Sequence, residues 1–363
     1  MNPQGFPLEI SGRMINLKLK TICAFLGAAL AICFLCSCNN KIPETEDEKK
    51  CTKELFAMDT YMTVTAYGED AENAVNEALD EIRRLDTLLS TENNKSEIYK
   101  LNSKGSARLS PDSAALYEKA SRIYTSTNGA YDITVYPLMK LWGFIGNEPA
   151  LPDPAELKSV TADIGQDRLS YNDGVLTLGK NQGVDLGGIA KGYTGDRIMK
   201  IFEKHNISSG VISLGGNVHC YKTKPDGEKW NCGINDPDSP GQGIAGSLKV
   251  ENKAVITSGG YERYFTDEKT GKKYHHIMDP RTGYSAESGL LSVTIISSDG
   301  ALADGLSTAC FVMGKDKAAE YWRGHSEEFD MIMIDENGEM TVTEGIKDEV
   351  STERKVTTVA KES

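Results

Sequence analysis

No basic stripe runs through this sequence, whose 363 residues carry 40 Lys and Arg against 53 Asp and Glu, a formal charge of −13. That balance argues against a nucleic-acid partner, because phosphate backbones are held through clustered Lys and Arg. An acidic chain that binds an anionic small molecule must raise positive potential locally, from a helix N-terminus, a lysine or a divalent cation. Cysteine is scarcer than its count of eight implies. Cys23, Cys33, Cys36 and Cys38 fall in or beside an apolar N-terminal run and Cys51 in a charged stretch, which leaves Cys220, Cys232 and Cys310. Three cysteines at irregular spacing make neither a disulfide framework nor a zinc site. They read as small buried thiols, with a Cys220–Cys232 bridge between neighbouring strands as the alternative. Internal repeats and low-complexity blocks are absent, and so are the standard phosphate loops. In "GVDLGGIAKGYTGD", Gly183 to Asp196, the spacing is wrong for G-x-G-x-x-G, and Lys191 precedes its glycine where a Walker loop has it follow.

What is present begins with a targeting signal. Arg13, Lys18 and Lys20 precede an apolar run, "TICAFLGAALAICFL" from Thr21 to Leu35. The following "LCSC", Leu35 to Cys38, resembles a bacterial lipobox, in which the cysteine is acylated and becomes the mature N-terminus. The expectation is lipidation at Cys38; an uncleaved anchor is the alternative, since Thr21 to Cys38 is only marginally long enough to span a bilayer. Met14 could equally be the start. Either way the folded part is exported, facing the periplasm or the cell exterior. The expected organisation is a signal peptide over 1–37, a polar tether over 38–54, a folded domain over 55–346 and a polar C-terminal tail over 347–363.

Within the domain, "YMTVTAYG" alternates like a strand, with Met62, Val64 and Ala66 on one face. A helix follows whose apolar set Ala71, Ala74, Val75, Ala78, Leu79, Ile82, Leu85 and Leu89 keeps the 3.6-residue period. Ser110 as N-cap and Pro111 at the first helical position open a second helix. "LSYNDGVLTL" reads as a hairpin turning at Asn172 to Gly174, and "IAKGYTGDRIMKIFEKHNI" as a helix with Ile189, Tyr193, Ile198, Ile201 and Phe202 inward. "SGVISLGGN" and "LLSVTIIS" read as buried strands. Hairpins and helices mixed in irregular order predict an α+β fold of mixed or antiparallel sheets with packed helices.

Four clusters could carry chemistry. The Asp185–Gly188 helix start offers free N–H groups to an anion, or else Asp185 merely caps the helix. "SLGGN", Ser213 to Asn217, admits a close ligand or simply makes a tight turn. His275 and His276 precede a "DPRTG" turn; strand neighbours face opposite sides, so at most one points into a given site, where it could act as a base. Asp304 and Thr308 share a helical face, and one carboxylate with one hydroxyl suits Mg²⁺, unless Thr308 bonds back into its own helix.

Taken in order, "MDTYMTV", "LSTENNKSEI", "YDITVYPLMKLWGF", "DLGGIAKGYTGD", "SLGGN", "SGGYERYF", "HHIMDPRTG" and "ADGLSTACFVMG" strongly resemble the ApbE family of FAD:protein FMN transferases, from about Met58 to Gly314. The resemblance implies a two-lobed, T-fold-like single catalytic unit. It also implies Mg²⁺-dependent transfer of FMN from FAD to a Thr or Ser hydroxyl of an acceptor flavoprotein, with release of AMP. The implied acceptors are subunits of Na⁺-pumping quinone reductase or Rnf-type complexes, reached by a lipid-anchored enzyme. Carried onto this chain, Asp185 and Lys191 contact FAD, while Met58, Ala130, Tyr131, Asp132, His276 and Ile277 line the nucleotide. Gly188 lends a carbonyl to the metal beside Asp304 and Thr308, and His276 is the candidate base. The chain departs from the family pattern at Glu92, where an aromatic is usual; Tyr99, Tyr131 or Tyr136 could compensate. The alternatives are an FAD pyrophosphatase, with water in place of the acceptor, and a non-catalytic FAD-binding lipoprotein.

Overall fold

Nine strands follow one another across a single sheet in the order in which the chain makes them. A computed structural model describes residues 49–361, and the strands are β1 Lys50–Ala57, β2 Thr60–Tyr67, β3 Ser209–Leu214, β4 Asn217–Tyr221, β5 Lys253–Gly259, β6 Leu290–Ser297, β7 Asp330–Asp335, β8 Met340–Thr343 and β9 Val356–Val359. Every neighbouring pair is antiparallel except β8 and β9, which run parallel. The long intervals between strands hold the helices that matter for the site: α1 Ala71–Leu89, α2 Pro111–Ser126, α3 Gly187–Lys204 and α4 Gly300–Met313. The order is α+β, as the irregular mixture predicts.

The central strands are buried on both faces, and the period of two sorts their side chains into different cores. On β5, Ala254 and Ile256 join the core under the helices, whereas Val255 faces a second core; on β7, Met331 and Met333 go one way and Ile332 and Ile334 the other. The second core is closed by a three-stranded sheet of Trp230–Asn235, Ile244–Val250 and Val350–Ser351. Three layers result, with α4 packed directly on β5 and β6. All the residues assigned to the apolar stripe of α1 are buried, and Ser110 caps α2 as its sequence predicts. Tyr193, expected inward on α3, is half-buried, with its hydroxyl donating to Asp112 Oδ1 (2.6 Å).

Both expected domain edges move outward. The segment from Lys50 to Glu54, assigned to the tether, belongs to β1 and pairs residue for residue with β2. Cys51, Lys53, Leu55 and Ala57 form its inward phase; Lys53 hides that alternation because its ammonium group reaches out to Asn76 (2.6 Å) while its stem lies on the sheet. At the other end the tail supplies β9, a four-residue strand in which only Val359 is buried, so the backbone ladder with β8 more than hydrophobic burial holds it. Cys220 on β4 and Cys232 on the smaller sheet bring their sulfurs to 3.4 Å as thiols, and Cys310 is buried alone. Residues 1–48, and with them the signal peptide and Cys38, lie outside the described residues.

Candidate active site

A cavity of about 820 Å³ opens where the β1–β2 turn, the starts of α3 and the β3–β4 turn, the end of β5 and one face of α4 converge. That volume lies within the range of pockets that enclose nucleotide-sized ligands. Every cofactor, metal and base residue carried over from the family resemblance lines it. Met58 stands at the tip of the β1–β2 turn with φ 48°, and its N–H donates to Asp86 Oδ1 (3.0 Å). Ala130 and Tyr131 follow α2, and Asp132 caps the short 3-10 turn at Ile133–Val135 by accepting from Thr134 N–H (2.8 Å) and Oγ1 (2.6 Å). Burial raises the Asp132 carboxyl to about 6 despite those donors.

The two motifs that carry the metal candidates are distant in sequence and in contact in space. Asp304 is 5% exposed on α4. Its Oδ2 accepts the Gly192 N–H from α3 (2.8 Å), and its Oδ1 accepts from the Asn217 amide (3.1 Å). Gly192 permits this approach by having no side chain: a Cβ there would stand 2.1 Å from the Gly300 carbonyl oxygen and 2.8 Å from Asp304 Cβ. Asp196, one turn further along α3, accepts from Gly300 N–H (2.8 Å) and Ala301 N–H (2.9 Å) and so caps α4 from the neighbouring helix. Thr308 does not bond back into its helix; its hydroxyl lies 3.4 Å from Ser258 Oγ, and it is Ser307 that bonds to the Asp304 carbonyl. A Cβ on Gly188 would be 3.8 Å from Thr308 Oγ1, so the α3 start and the Asp304–Thr308 face form one wall.

Two cations reach the same cavity. Lys191 and Arg263 line the cavity, and both bear on the Asp185 carboxylate. Asp185 also accepts from Gly187 N–H (2.8 Å), so it steadies the helix start from within the pocket; enclosure by protein raises its carboxyl, and that donor and the two cations counter the rise. Of the two histidines, only His276 lines the cavity, while His275 turns away to meet Phe311 edge-on at 5.4 Å. His276 Nδ1 lies 3.3 Å from the Arg263 carbonyl oxygen, which only accepts. The proton therefore sits on Nδ1, and Nε2 keeps a free lone pair. One side of the ring is open to the cavity but the rest is walled in, and that desolvation, with the Arg263 charge behind it, lowers its pKa to about 3.

Residues 58–333 match the ApbE family model. The chain belongs to the ApbE family. It is 31% identical to the FAD:protein FMN transferase of Treponema pallidum over 84% of this chain and 90% of that one, and 32% identical to that of Salmonella typhimurium over 86% and 93%. Among solved structures, the ApbE protein of Thermotoga maritima superposes with a TM-score of 0.78 at 30% identity, covering 83% of this chain and 99% of that one. The apo flavinyl transferase ApbE of Pseudomonas stutzeri gives 0.74 at 26%, covering 83% and 97%.

In this ApbE-family site a cluster of three His, Cys, Asp or Glu side chains is absent among the described residues. A metal held here would use one carboxylate, a hydroxyl, a backbone carbonyl and oxygens from substrate or water, a set that fits hard Mg²⁺ and not zinc. Asp304 fits that use: both its oxygens are oriented by N–H donors, and no ion pair among the described residues neutralises it. Tyr131 brings a further polar group to the same wall. Its hydroxyl is buried without a partner, which costs about 1–3 kcal/mol in a finished fold. Glu92 does line the cavity, and of the three tyrosines that could replace an aromatic there only Tyr131 does so, with its ring 4% exposed.

Sequence reading missed Asn217, Ser258, Glu262 and Asp196 as members of the site or its support. Asn217, Ser258 and Glu262 sit inside motifs already singled out, "SLGGN" and "SGGYERYF", and Asp196 ends the "GVDLGGIAKGYTGD" stretch. Their partners lie dozens of residues away, so the signal was present without its meaning.

Proposed function

We propose that this chain transfers FMN from FAD to a Thr or Ser hydroxyl of an acceptor flavoprotein, with Mg²⁺ and with release of AMP. The observation that carries the reading is the shared wall in which the Asp304–Thr308 face of α4 meets the glycine-rich start of α3. That wall sets the positive end of the α3 dipole beside hard oxygen ligands, the pair of features a diphosphate–magnesium complex needs. Asp304 and Thr308, with the Gly188 carbonyl, would hold the ion, whose chemistry is to neutralise charge on the diphosphate oxygens. Asp185 and Lys191 hold the FAD, and Met58, Ala130, Tyr131, Asp132 and Ile277 enclose the nucleotide.

In the step itself the acceptor oxygen bonds to the phosphorus on the FMN side, and the bridging P–O bond to AMP breaks. The acceptor proton passes to His276 Nε2, the nitrogen left free by the Nδ1–H···Arg263 hydrogen bond; the negative charge of a bound diphosphate opposes the desolvation and the Arg263 charge that hold the ring at about 3. His276→Ala is expected to keep FAD affinity while losing acceptor modification by about 100-fold or more; unchanged modification would remove His276 from this role. Incubation with FAD and Mg²⁺ but no acceptor separates transfer from hydrolysis, because AMP release under those conditions marks an FAD pyrophosphatase that uses the same atoms with water.

Export and anchoring at Cys38 belong to the same proposal. A lipid at that position places the cavity at a membrane surface, where acceptor subunits of Na⁺-pumping quinone reductase or Rnf-type electron-transfer complexes would present their hydroxyls. Globomycin-sensitive processing and a Cys38→Ala chain that leaves the membrane fraction are the expected results.

A further inference from the structure

Tyr131 is assigned above only to the nucleotide's surroundings, yet its hydroxyl is placed where the flavin is not needed to explain it. The ring is buried between Gly188 at the start of α3 and Gly305 on α4, so neither face is open for stacking. The position a Cβ would take on Gly188 is 3.6 Å from the Tyr131 hydroxyl and 3.8 Å from Thr308 Oγ1, so the two hydroxyls flank one point on the wall. No group among the described residues accepts its proton, the Asp304 and Asp185 carboxylates included. A protonated donor in that setting calls for an oxygen acceptor supplied from outside the chain.

We propose that the Tyr131 hydroxyl is a further ligand-binding group of this site, donating to an oxygen at the metal–diphosphate end, either a phosphate oxygen or a metal-bound water. The inference rests on the reading of the cavity as an FAD and Mg²⁺ site and assigns Tyr131 to the end of the ligand where the bond breaks.

Tyr131→Phe removes one oxygen and leaves the ring in its slot. Without ligand, the variant is expected to melt a few degrees above the parent, because a buried hydroxyl without a partner has been deleted. Titrations on the parent and variant use Mg²⁺ alone, inorganic pyrophosphate alone, and FAD with Mg²⁺. The expected result is a loss of about tenfold in affinity for FAD with Mg²⁺. The same loss toward Mg²⁺ alone identifies metal-bound water as the acceptor, and toward pyrophosphate alone a phosphate oxygen. Equal affinities for parent and variant in all three titrations, or a lower melting temperature for the unliganded variant, overturn the proposal. FAD binding by the parent with Mg²⁺, weakened in Asp304→Asn, is the control: if the parent does not bind FAD, the reading of the cavity has failed instead.

Discussion

His219 shows how much of the site's support is charge kept out of the interior. It is 1% exposed on β4, wedged beside Gly195 and Gly300 where α3 and α4 meet, with Nε2 unpartnered. Burial lowers its pKa to about 4, so the unfolded chain takes up a proton near pH 6.5 that the native chain refuses. Stability present above 6.5 is therefore lost as the pH falls toward 4, by about 3 kcal/mol in total. Asp196 lies 3.9 Å away and works in the opposite sense: burial raises it to about 7, and its contribution is present in acid and lost as the pH rises. Urea unfolding at pH 7 and pH 4.5 is expected to show a smaller acid loss in His219→Gln than in the parent, with Asp196 unchanged in both. Equal losses would contradict the assignment. Asn217→Ala tests the other support residue: it leaves Asp304 unoriented at Oδ1 and is expected to weaken Mg²⁺ binding by about 10- to 100-fold, measured by calorimetry. At this scale the sequence showed which residues reach the cavity, because their motifs are local. It hid the supporters, since the partnership of Asn217 with Asp304, or of Asp196 with the start of α4, exists only after folding.

Among the elements, the decisive contact is the crossing of α3 and α4. A glycine at 192 lets the Gly192 N–H reach Asp304 and lets the backbone at Gly300 touch α3. Gly192→Ala places a methyl group where it would meet the Gly300 carbonyl, so the helices must part. The expected cost is about 1–3 kcal/mol of stability, read by denaturant titration, together with loss of Mg²⁺ binding. A variant as stable as the parent and with full metal affinity would show that the close approach is unnecessary. Helices α1 and α2 were legible from periodicity and capping because each declares itself within about 20 residues. Strands β1 and β9 were not legible, since Lys53 breaks the hydrophobic alternation of one and the other is only four residues long, mostly exposed and held by backbone hydrogen bonds.

At the scale of the whole molecule, the net charge of −13 extends into the cavity, so an anionic substrate there has to be met by cations brought to it. Asp59, Asp86, Glu92, Asp132, Asp185, Glu262 and Asp304 all line the cavity, against Lys191 and Arg263, so a divalent cation beside the diphosphate is what the proposed reaction needs. The α+β class followed from the irregular order of elements; the meander of nine strands did not, because nothing local records which distant strands pair. The central claim is that this cavity moves FMN from FAD onto another protein. It is tested most directly by incubating the protein with FAD, Mg²⁺ and an acceptor flavoprotein and weighing the intact acceptor by mass spectrometry, beside an Asp304→Asn control. The account predicts one added FMN per acceptor and one AMP released, both reduced by at least about 100-fold in the control. An acceptor of unchanged mass with the parent protein, or full modification by Asp304→Asn, would contradict it.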